Sequence, residues 1–396
     1  MPSLSPAERL TLLLEEDRQT AASRETVALE EIMGTLEDPF LLFGAGNLGR
    51  KVLKKLNAIG KQPRAFIDNN PALWGTSIAG VSVMSPAEAA RQFDPRMLGV
   101  LVTIWSGEAT DKMSDRIAPL YALGFRKVAL FGHLAWRYPA EFLPHYFLDL
   151  PSQVLERADE VRAAFALLSD DESRELFVNH VEWRLFLDYD LLPAPTPRTI
   201  YFDEHYSSIV PDEVLYDVGA YNGDSAASFL ESVRGRSFGH LYCFEPSPTN
   251  FAALSRYVST VGPLANKVSA HEMALGDQPG EILVEDSGGP SVRVGVGSHC
   301  VPVSTIDEFS RLHTPPTFIK IDIEGFEPKC LKGAEQVIRT KGPVVAVCVY
   351  HLQAHLWEIL LQLHSYRPDY RFSLGPHLAD GWDLVLYAVP PARTPA

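Results

Sequence analysis

The chain has 396 residues, 46% of them hydrophobic, and a formal net charge of −15 at pH 7. That length predicts two or three domains, and the acidic balance argues against nucleic acid or an anionic membrane as a partner. The sequence has no apolar run long enough to span a membrane, no signal-peptide layout at its start and no paired cysteine spacing, which together favour a reducing cytoplasm.

The first 37 residues predict a helical segment of their own. Residues 5–33 are acidic and carry apolar side chains such as Leu10, Leu14 and Leu29 at helical spacing. Such a face serves either packing within the chain or contact with a second copy in a homo-oligomer.

Residues 38–135 have the pattern of a small Rossmann-like domain. An apolar strand is followed by the turn Gly44-Ala-Gly46-Asn-Leu-Gly49, then by a helix, and then by a second strand that ends at Asp68. This is a G-x-G-x-x-G turn with an acid at the spacing from which a carboxylate can reach a ribose.

The N-terminal turn admits two interpretations. It binds a nucleotide through its three glycines and Asp68, or the glycines serve only the bend between strand and helix. The stretch Ala65-Phe-Ile-Asp-Asn-Asn-Pro71 with Trp74 resembles the N-terminal domains of some sugar acyltransferases. That resemblance implies a nucleotide or a nucleotide-linked sugar as the ligand.

Residues 136–198 predict a helical bridge and linker. Two helical stretches, about 152–168 and 171–188, precede a proline-rich linker at 193–197. The segment Thr199–Tyr206 then opens the last domain, either as a lid over a site or as packing against the sheet.

Residues 199–396 predict a second doubly wound sheet. Strand-like runs alternate with helical stretches, at 214–218, 241–244, 268–274, 318–321 and 344–349. Two further runs, near 370–374 and 383–388, suggest an antiparallel hairpin at one edge. The chain is therefore predicted to be an α/β protein with two doubly wound Rossmann-like domains joined by a helical bridge.

Ligands of such sheets bind at the carboxyl ends of the strands, near the point where the strand order reverses. The residues at these ends in the last domain are mostly small or acidic. The cofactor-binding candidates among them are Asp217, Gly219, Ala220, Tyr221, Gly223, Asp224, Glu245, Pro246, Leu275 and Asp277.

An acid directly before its first glycine distinguishes this second turn from a pyrophosphate-binding turn, because a carboxylate repels phosphate and attracts a cation. Asp217 and Asp224 would make the pocket negative, which suits S-adenosylmethionine with its amine and sulfonium. Glu245 can accept hydrogen bonds from both ribose hydroxyls, and Asp277 can accept one from an adenine amine.

Asp322, Glu324 and His351 are the catalytic candidates. They could act as a general base, as ligands of a divalent metal, or as acceptors for a substrate hydroxyl. The sequence leaves these roles open. Glu327 opens a helix, where the helix dipole alone favours an acid, so a structural role is preferred for it.

Several motifs of the last domain occur together: Tyr216-Asp-Val-Gly-Ala-Tyr-Asn-Gly-Asp224, Phe244-Glu-Pro246, Ala274-Leu-Gly-Asp277, Val303-Ser-Thr-Ile-Asp307 and Ile319-Lys-Ile-Asp-Ile-Glu-Gly-Phe-Glu327. In this combination the domain resembles the FkbM-type methyltransferases over about 199–390. The resemblance implies a class I S-adenosylmethionine-dependent fold that methylates hydroxyl groups of sugars or related products, with Asp322 and Glu324 at the reaction centre. One departure is Val349-Tyr350 ahead of His351, where an acid is expected.

The leading hypothesis is an O-methyltransferase acting on a sugar or a glycosylated metabolite, with the N-terminal domain binding a nucleotide or nucleotide-linked portion. Two alternatives remain. One is an NAD-dependent oxidoreductase that uses the N-terminal glycine turn, and the other is a non-catalytic protein that binds a nucleotide-sugar.

Overall fold

The computed structural model describes residues 4–105, 112–285, 293–294 and 297–394. The chain divides into two compact units. The N-terminal unit comprises Met1–Ala158, Val178–Pro195 and Leu378–Trp382, and the C-terminal unit comprises Asp159–Phe177, Thr196–His377 and Asp383–Ala396. The segment 136–198, predicted as a bridge, is thus divided between the two units.

The N-terminal part of the chain alternates helices and strands. The elements are α1 (Pro6–Leu14), α2 (Arg18–Met33), β1 (Phe40–Phe43), α3 (Asn47–Ala58), β2 (Ala65–Ile67), β3 (Ser77–Ile78), β4 (Val81–Met84), α4 (Pro86–Gln92), β5 (Gly99–Val102), α5 (Met113–Ala122), β6 (Lys127–Leu130), α6 (Phe131–Arg137), α7 (Pro139–Phe142), α8 (Pro151–Glu156), α9 (Ala158–Leu167) and α10 (Asp171–Phe186). The helical prediction for 5–33 is confirmed, and α1 begins with a capping box between Ser5 and Glu8.

The first sheet has the order β3-β4-β2-β1-β5-β6 and is parallel except for the β3–β4 pair. The strand order reverses between β1 and β5, because β2 lies on one side of β1 and β5 on the other. Strands β1, β2 and β5 are fully buried, as expected for a parallel sheet covered on both faces. The predicted doubly wound arrangement is confirmed.

The C-terminal unit is built around a larger sheet. Its elements are β7 (Val214–Val218), α11 (Asp224–Ser232), β8 (His240–Phe244), α12 (Pro248–Thr260), β9 (Val268–His271), β10 (Ala274–Leu275), β11 (Gly280–Glu285), β12 (Arg293–Val294), β13 (His299–Ser304), α13 (Ile306–Leu312), β14 (Phe318–Ile321), α14 (Glu327–Lys332), α15 (Glu335–Lys341), β15 (Val344–Cys348), α16 (His355–Tyr366), β16 (Arg371–Pro376) and β17 (Leu384–Val389).

The larger sheet has the order β16-β17-β15-β14-β7-β8-β9, and its last five members in this order are parallel. Strands β16 and β17 form the antiparallel hairpin that the sequence predicts at one edge. The strand order reverses between β7 and β14. The carboxyl ends of these two strands therefore form the crevice in which a ligand is expected.

The predicted third strand, 268–274, is wrong in its extent. The Met273 amide donates to the His271 carbonyl oxygen, a tight local turn that ends β9 and separates it from β10. Strand β10 then pairs with β13 in a four-stranded sheet of order β10-β13-β11-β12. The sequence analysis did not anticipate this small sheet.

Among the helical stretches that the sequence predicts between the strands, the one at about 328–340 is two helices, α14 and α15, that meet at Gly333. A Cβ atom at Gly333 would lie 2.0 Å from the carbonyl oxygen of Gly276. Only glycine permits this approach of two backbones, and the helix is interrupted where it occurs. Within the described residues, no helix has both the length and the apolar character that crossing a bilayer requires.

Candidate functional site

The glycine turn after β7 lies directly against the end of β14. Gly219 has φ +78°, and a Cβ atom there would lie 1.9 Å from the carbonyl oxygen of Asp322. Gly223, with φ +97°, precedes α11 and leaves no room for a Cβ atom beside the ring of Tyr257. The fold thus brings the first candidate turn and the first catalytic candidate together at the strand-order reversal.

Asp217 is buried beneath this turn and is neutralised by a lysine. Its Oδ1 atom lies 3.1 Å from Lys320 Nζ, and its Oδ2 accepts a hydrogen bond of 2.6 Å from Ser225 Oγ. Burial alone would lower the pKa of Lys320, but the carboxylates of Asp217 and Asp322 raise it above its ordinary value. The prediction that Asp217 makes the pocket negative therefore needs correction, because Lys320 compensates that charge.

Lys320 also holds the turn itself. It donates to the carbonyl oxygens of Gly219 and Val218, and it is the direct cross-strand neighbour of Asp217 in the β7–β14 register. The ion pair therefore ties the two central strands together under the candidate cofactor turn.

Glu245 ends β8 beside the turn. Its Oε2 accepts the amide of Tyr221 and its Oε1 accepts the amide of Ser247, each at 2.9 Å. The side chain is buried, and burial raises the pKa of Glu245 to about 7 although these two amides oppose the rise. A carboxylate has about four lone-pair sites, so both oxygens can accept further hydrogen bonds.

The carboxylate of Asp224 lies near the charged groups of the site, and burial together with Asp217 and Asp322 raises its pKa. The other candidates around the turn are mainly backbone positions. The Ala220 amide donates to the Phe244 carbonyl at 3.0 Å, and Tyr221 adopts φ +46°. Asp224 begins α11, and Pro246 joins Glu245 to α12. These residues shape the loop that Glu245 anchors.

Leu275 and Asp277 lie elsewhere than the sequence analysis expected. They belong to the small sheet and its exit, because β10 pairs with β13 and not with the larger sheet. Asp277 Oδ2 lies 3.6 Å from Lys332 Nζ, so its carboxylate has a cationic partner within the chain. Its proposed contact with an adenine amine stays a prediction.

Asp322 is held by a residue that the sequence analysis did not assign. Tyr201 donates from its hydroxyl to Asp322 Oδ2 at 3.0 Å. The segment Thr199–Tyr206 packs onto the sheet, with Phe202 against Phe318 and with Tyr206 stacked on another tyrosine. Of the two roles left open for this segment, packing against the sheet is the one that the structure shows.

Glu327, expected to be a simple helix-start acid, is fully buried at the centre of a network. Its Oε1 lies 2.8 Å from His351 Nδ1 and its Oε2 lies 3.3 Å from His355 Nδ1. Its Oε1 also accepts the amide of Ile323 at 2.9 Å. Burial would raise the pKa of Glu327, but the neighbouring His351 lowers it to about 2. Glu327 does begin α14, and beyond the structural role expected there it is the buried counter-ion of His351.

His351 lies between two carboxylates. In addition to the Glu327 contact, its Nε2 lies 3.4 Å from Asp322 Oδ1. Burial opposes protonation, yet Glu327 and Asp322 raise the pKa of His351 to about 9. A protonated imidazole has no lone pair to accept a proton, so the two flanking carboxylates favour an orienting role for His351 toward Asp322, and a role as general base stays a prediction.

Glu324 lies on the strained turn that Glu327 supports. It adopts φ +55°, a left-handed conformation unusual for a residue with a side chain. The following Gly325, with φ +101°, donates its amide to Glu327 Oε1 at 3.3 Å. The Glu327 carboxylate thus fixes the turn that carries Glu324 beside Asp322.

A further carboxyl group, Asp383, belongs to this site and was missed. It directly precedes β17, and because β17 is antiparallel its amino end lies beside the carboxyl end of β15. Burial and the Asp322 carboxylate raise the pKa of Asp383 to about 7, although a hydrogen bond with Tyr350 opposes the rise. Asp383 is the first residue of the strand-like run near 383–388 that the sequence analysis assigned to the edge hairpin, so its position beside the end of β15 could have been inferred.

Asp322, Glu327 and His351 also have the spacing of a metal site. One ligand atom from each lies within 4.8 Å of the others, which a divalent cation could bridge. Metal binding would require a neutral imidazole, whereas the two flanking carboxylates favour the protonated ring. Whether these three residues hold a metal therefore stays a prediction.

We expect the stability of the protein to depend on pH through His351. Its pKa is raised from 6.5 to about 9, so its contribution is complete below 6.5 and is lost as pH rises through 9. Measured by urea unfolding at several pH values, wild-type stability should fall over this window more steeply than that of His351→Asn. Parallel pH profiles of the two proteins would contradict the assigned protonation.

Two of the three glycines in the N-terminal turn, Gly44 and Gly49, are required because a Cβ atom at either position would clash with neighbouring atoms. A Cβ atom at Gly49 would lie 1.9 Å from the Gly44 carbonyl oxygen, whereas at Gly46 nothing lies within 4 Å. Asp68 Oδ2 accepts the amide of Ala45 at 2.7 Å, and its Oδ1 accepts the amide of Asn70 at 2.8 Å. Asp68 thus holds its own turn, and a role in binding a ribose stays a prediction.

Comparison with known proteins bears on the C-terminal unit. Residues 217–374 match the family model described as the methyltransferase FkbM domain. No curated protein matches the chain in sequence. The crystal structure of a methyltransferase FkbM from Methylobacillus flagellatus is similar with a TM-score of 0.76 and 20% identity, over 95% of this chain and 99% of that one.

A second solved structure, a putative rRNA methylase from Clostridium thermocellum, matches with a TM-score of 0.30 and 9% identity, over 45% of this chain and 87% of that one. This likeness is too weak to support any functional conclusion. The similarity to the Methylobacillus protein extends along nearly the whole chain and shows a shared fold, while the family match covers the part that contains the candidate site.

Proposed function

We propose that this chain, which carries a methyltransferase FkbM domain at residues 217–374, transfers a methyl group from S-adenosylmethionine to a hydroxyl group of a sugar or a glycosylated small molecule. The observation that carries this proposal is the crevice between β7 and β14. On one side of this crevice lies the Glu245 carboxylate, which can accept further hydrogen bonds, and on the other side lies the oriented Asp322 carboxylate.

The residues present fit the cofactor at Glu245. This buried carboxylate accepts two backbone amides and a hydrogen bond from the Asn250 side chain, and burial nevertheless raises its pKa to about 7. The two hydroxyls of a ribose would supply further hydrogen bonds. The bound cofactor would supply an activated methyl group on a sulfonium, so the protein need only position the acceptor and receive its proton.

Asp322 is the group best arranged to receive that proton. Its side chain is 26% exposed, while His351 and Glu327 behind it are buried. The Tyr201 hydroxyl and the His351 imidazolium fix the two oxygens of Asp322 in position, yet each oxygen keeps a lone pair. A substrate hydroxyl that binds Asp322 is thereby oriented for attack as its proton is withdrawn.

We further propose that the N-terminal Rossmann-like region, residues 38–135, binds a nucleotide or the nucleotide portion of the substrate at Gly44, Gly46, Gly49 and Asp68. The open space at Gly46 supports this. An NAD-dependent reaction there is a weaker candidate, because the family match covers residues 217–374 and not this turn. The four free cysteines are in keeping with a cytoplasmic protein.

Replacing Glu245 with alanine should weaken binding of S-adenosylhomocysteine by about 1.5–3 kcal/mol, the value of a hydrogen bond to a charged group, or roughly 10- to 150-fold in Kd. Isothermal titration of the purified protein measures this. The exposed Glu231→Ala in α11 is the matched control and should bind as wild type does. Unchanged affinity in Glu245→Ala would remove Glu245 from the cofactor site.

A further inference from the structure

A cluster of aromatic rings in the N-terminal unit has no part in the proposed reaction. Trp105 lies at its centre, with ring centroids 5.1 Å from His145, 5.3 Å from Phe147 and 6.2 Å from Trp183. Trp382 completes the group at 6.3 Å from Trp105. We call these five residues the aromatic cluster.

A buried arginine adjoins the aromatic cluster. Arg184 is 1% exposed, and its guanidinium carbon lies 5.9 Å from the centroid of the Phe147 ring. Its Nη1 donates to the His180 carbonyl at 3.0 Å, whereas its Nε and Nη2 have no hydrogen-bond partner among the described residues. Among the residues that the structure describes, no carboxylate forms an ion pair with Arg184, and burial lowers the pKa of Arg184 to about 9.

The aromatic cluster and His180 contain further buried polar atoms without a partner, and three of them are donors. His180 Nδ1 lies 3.4 Å from Arg184 Nη1 and can only accept from it, so the ring hydrogen is on Nε2, which has no partner among the described residues. The indole nitrogens of Trp105 and Trp183 are buried donors and likewise lack one. His145 Nε2 is the remaining such atom.

This excess of donors is energetically unfavourable unless an acceptor is bound beside them. A buried donor without an acceptor lowers the stability of the fold, and a charged one lowers it more. A ligand that is rich in acceptors and negatively charged would satisfy several of them at once. A cation or a hydrogen-bond donor would satisfy none.

The aromatic cluster lies at the place where this sheet is expected to bind ligands. Its Trp105 follows β5, and Phe131, whose ring centroid lies 6.0 Å from that of Trp105, follows β6. Both strands end at the edge that carries the glycine turn. A Cβ atom at Gly44 would lie 2.8 Å from Ile104 Cγ1, so the turn and the residue before Trp105 are in contact. The strand order reverses here, between β1 and β5.

We infer that the N-terminal unit has an oxyanion-binding site formed by Arg184, His180, Trp183 and Trp105. The ligand is a small molecule whose carboxylate or phosphate group is bound by Arg184 and whose remaining atoms contact the aromatic cluster. This site is distinct from the Gly44–Gly49 turn, and it does not depend on methyl transfer in the other unit.

The site can be tested without knowing its natural ligand, because its two indoles report on it. Inorganic phosphate and acetate, in separate titrations of the full chain up to tens of millimolar, are the probes. We expect at least one of them to change the tryptophan fluorescence saturably and to raise Tm by a few degrees, since a ligand that binds only the folded state stabilises it. The two arms distinguish a phosphate from a carboxylate ligand.

Arg184→Met removes the charge at similar volume and is the decisive variant. Without ligand it should unfold at a higher temperature than wild type, because an unpaired buried charge is replaced by an apolar side chain. It should also lose the saturable response to the ion. The exposed Arg64→Gln is the matched control and should respond as wild type does.

Two outcomes would overturn the site. One is that neither phosphate nor acetate produces a response in the wild type that Arg184→Met abolishes. The other is an Arg184→Met protein that unfolds at a lower temperature than wild type, which would show that the guanidinium is satisfied within the fold. Trp183→Phe, which keeps a ring but loses the indole donor, should weaken the ion response several-fold if the first two results hold.

Discussion

Replacing Asp322 with asparagine should lower turnover by about 10²- to 10⁴-fold, the usual contribution of a general base, while the affinity for cofactor stays nearly unchanged. The amide keeps the shape of the side chain and can still accept from Tyr201, which donates to Asp322 Oδ2 at 3.0 Å. It cannot take up a proton from the substrate. The defect should therefore appear in kcat rather than in cofactor binding.

The measurement combines single-turnover methyl transfer with a titration of S-adenosylhomocysteine. Tyr201→Phe is a useful companion, because it removes the hydroxyl that orients Asp322 and should cause a smaller loss. Chelation of divalent cations should leave wild-type turnover unchanged if the buried imidazolium of His351, and not a metal, fills the space between Asp322 and Glu327. Wild-type turnover in Asp322→Asn would remove this carboxylate from the mechanism.

Replacing Lys320 with methionine should lower the free energy of unfolding by about 3–5 kcal/mol, the cost of leaving a buried charge unpaired. Lys320 and Asp217 have side-chain exposures of 3% and 0%, so water cannot replace the missing partner. Methionine has a similar length and fills the same space. The loss therefore reports the orphaned carboxylate of Asp217 rather than a cavity.

The double variant Lys320→Met with Asp217→Asn tests this explanation. It should recover a large part of the lost stability, because neither charge then remains. Lys341→Met, at the exposed end of α15, is the matched control and should change stability by less than about 0.5 kcal/mol. Urea unfolding of the four proteins gives the values. A double variant no more stable than Lys320→Met would mean that the pair does not account for the effect.

The sequence predicts the larger sheet well because its strands are short apolar runs that end in glycine turns or acids. The sequence analysis did not use one further indication, the lone charged residue in each of the two central strands. Lys320 and Asp217 are each a single charge within an otherwise apolar strand, and a charge in a parallel sheet buried on both faces needs a partner. Since β7 and β14 were both expected near the strand-order reversal, their pairing could have been inferred.

The network behind Asp322 could not be inferred in the same way. Glu327 looks like a common helix-start acid, and nothing in its local sequence shows that it is fully buried and near His351 and His355. Tyr201 reaches Asp322 from a segment 121 residues earlier in the chain. Contacts of this kind depend on tertiary packing, which the periodicity of apolar residues and the spacing of motifs along the sequence do not reveal.

The domain arrangement shows the same limit. Residues 136–198 have the helical pattern that was predicted, but 159–177 and 178–195 belong to different compact units. The short segment Leu378–Trp382, between two strands of the larger sheet, belongs to the N-terminal unit. A pattern along the chain identifies helices, yet it does not indicate which apolar core each helix joins.

The most direct test of the central claim is a parallel titration of the purified chain with S-adenosylmethionine and with NADH. We predict saturable binding of S-adenosylmethionine at one site per chain, weakened in Glu245→Ala and kept in Asp322→Asn, and no comparable binding of NADH. Tight binding of NADH together with no detectable binding of S-adenosylmethionine would contradict the proposed methyl transfer at the β7–β14 crevice.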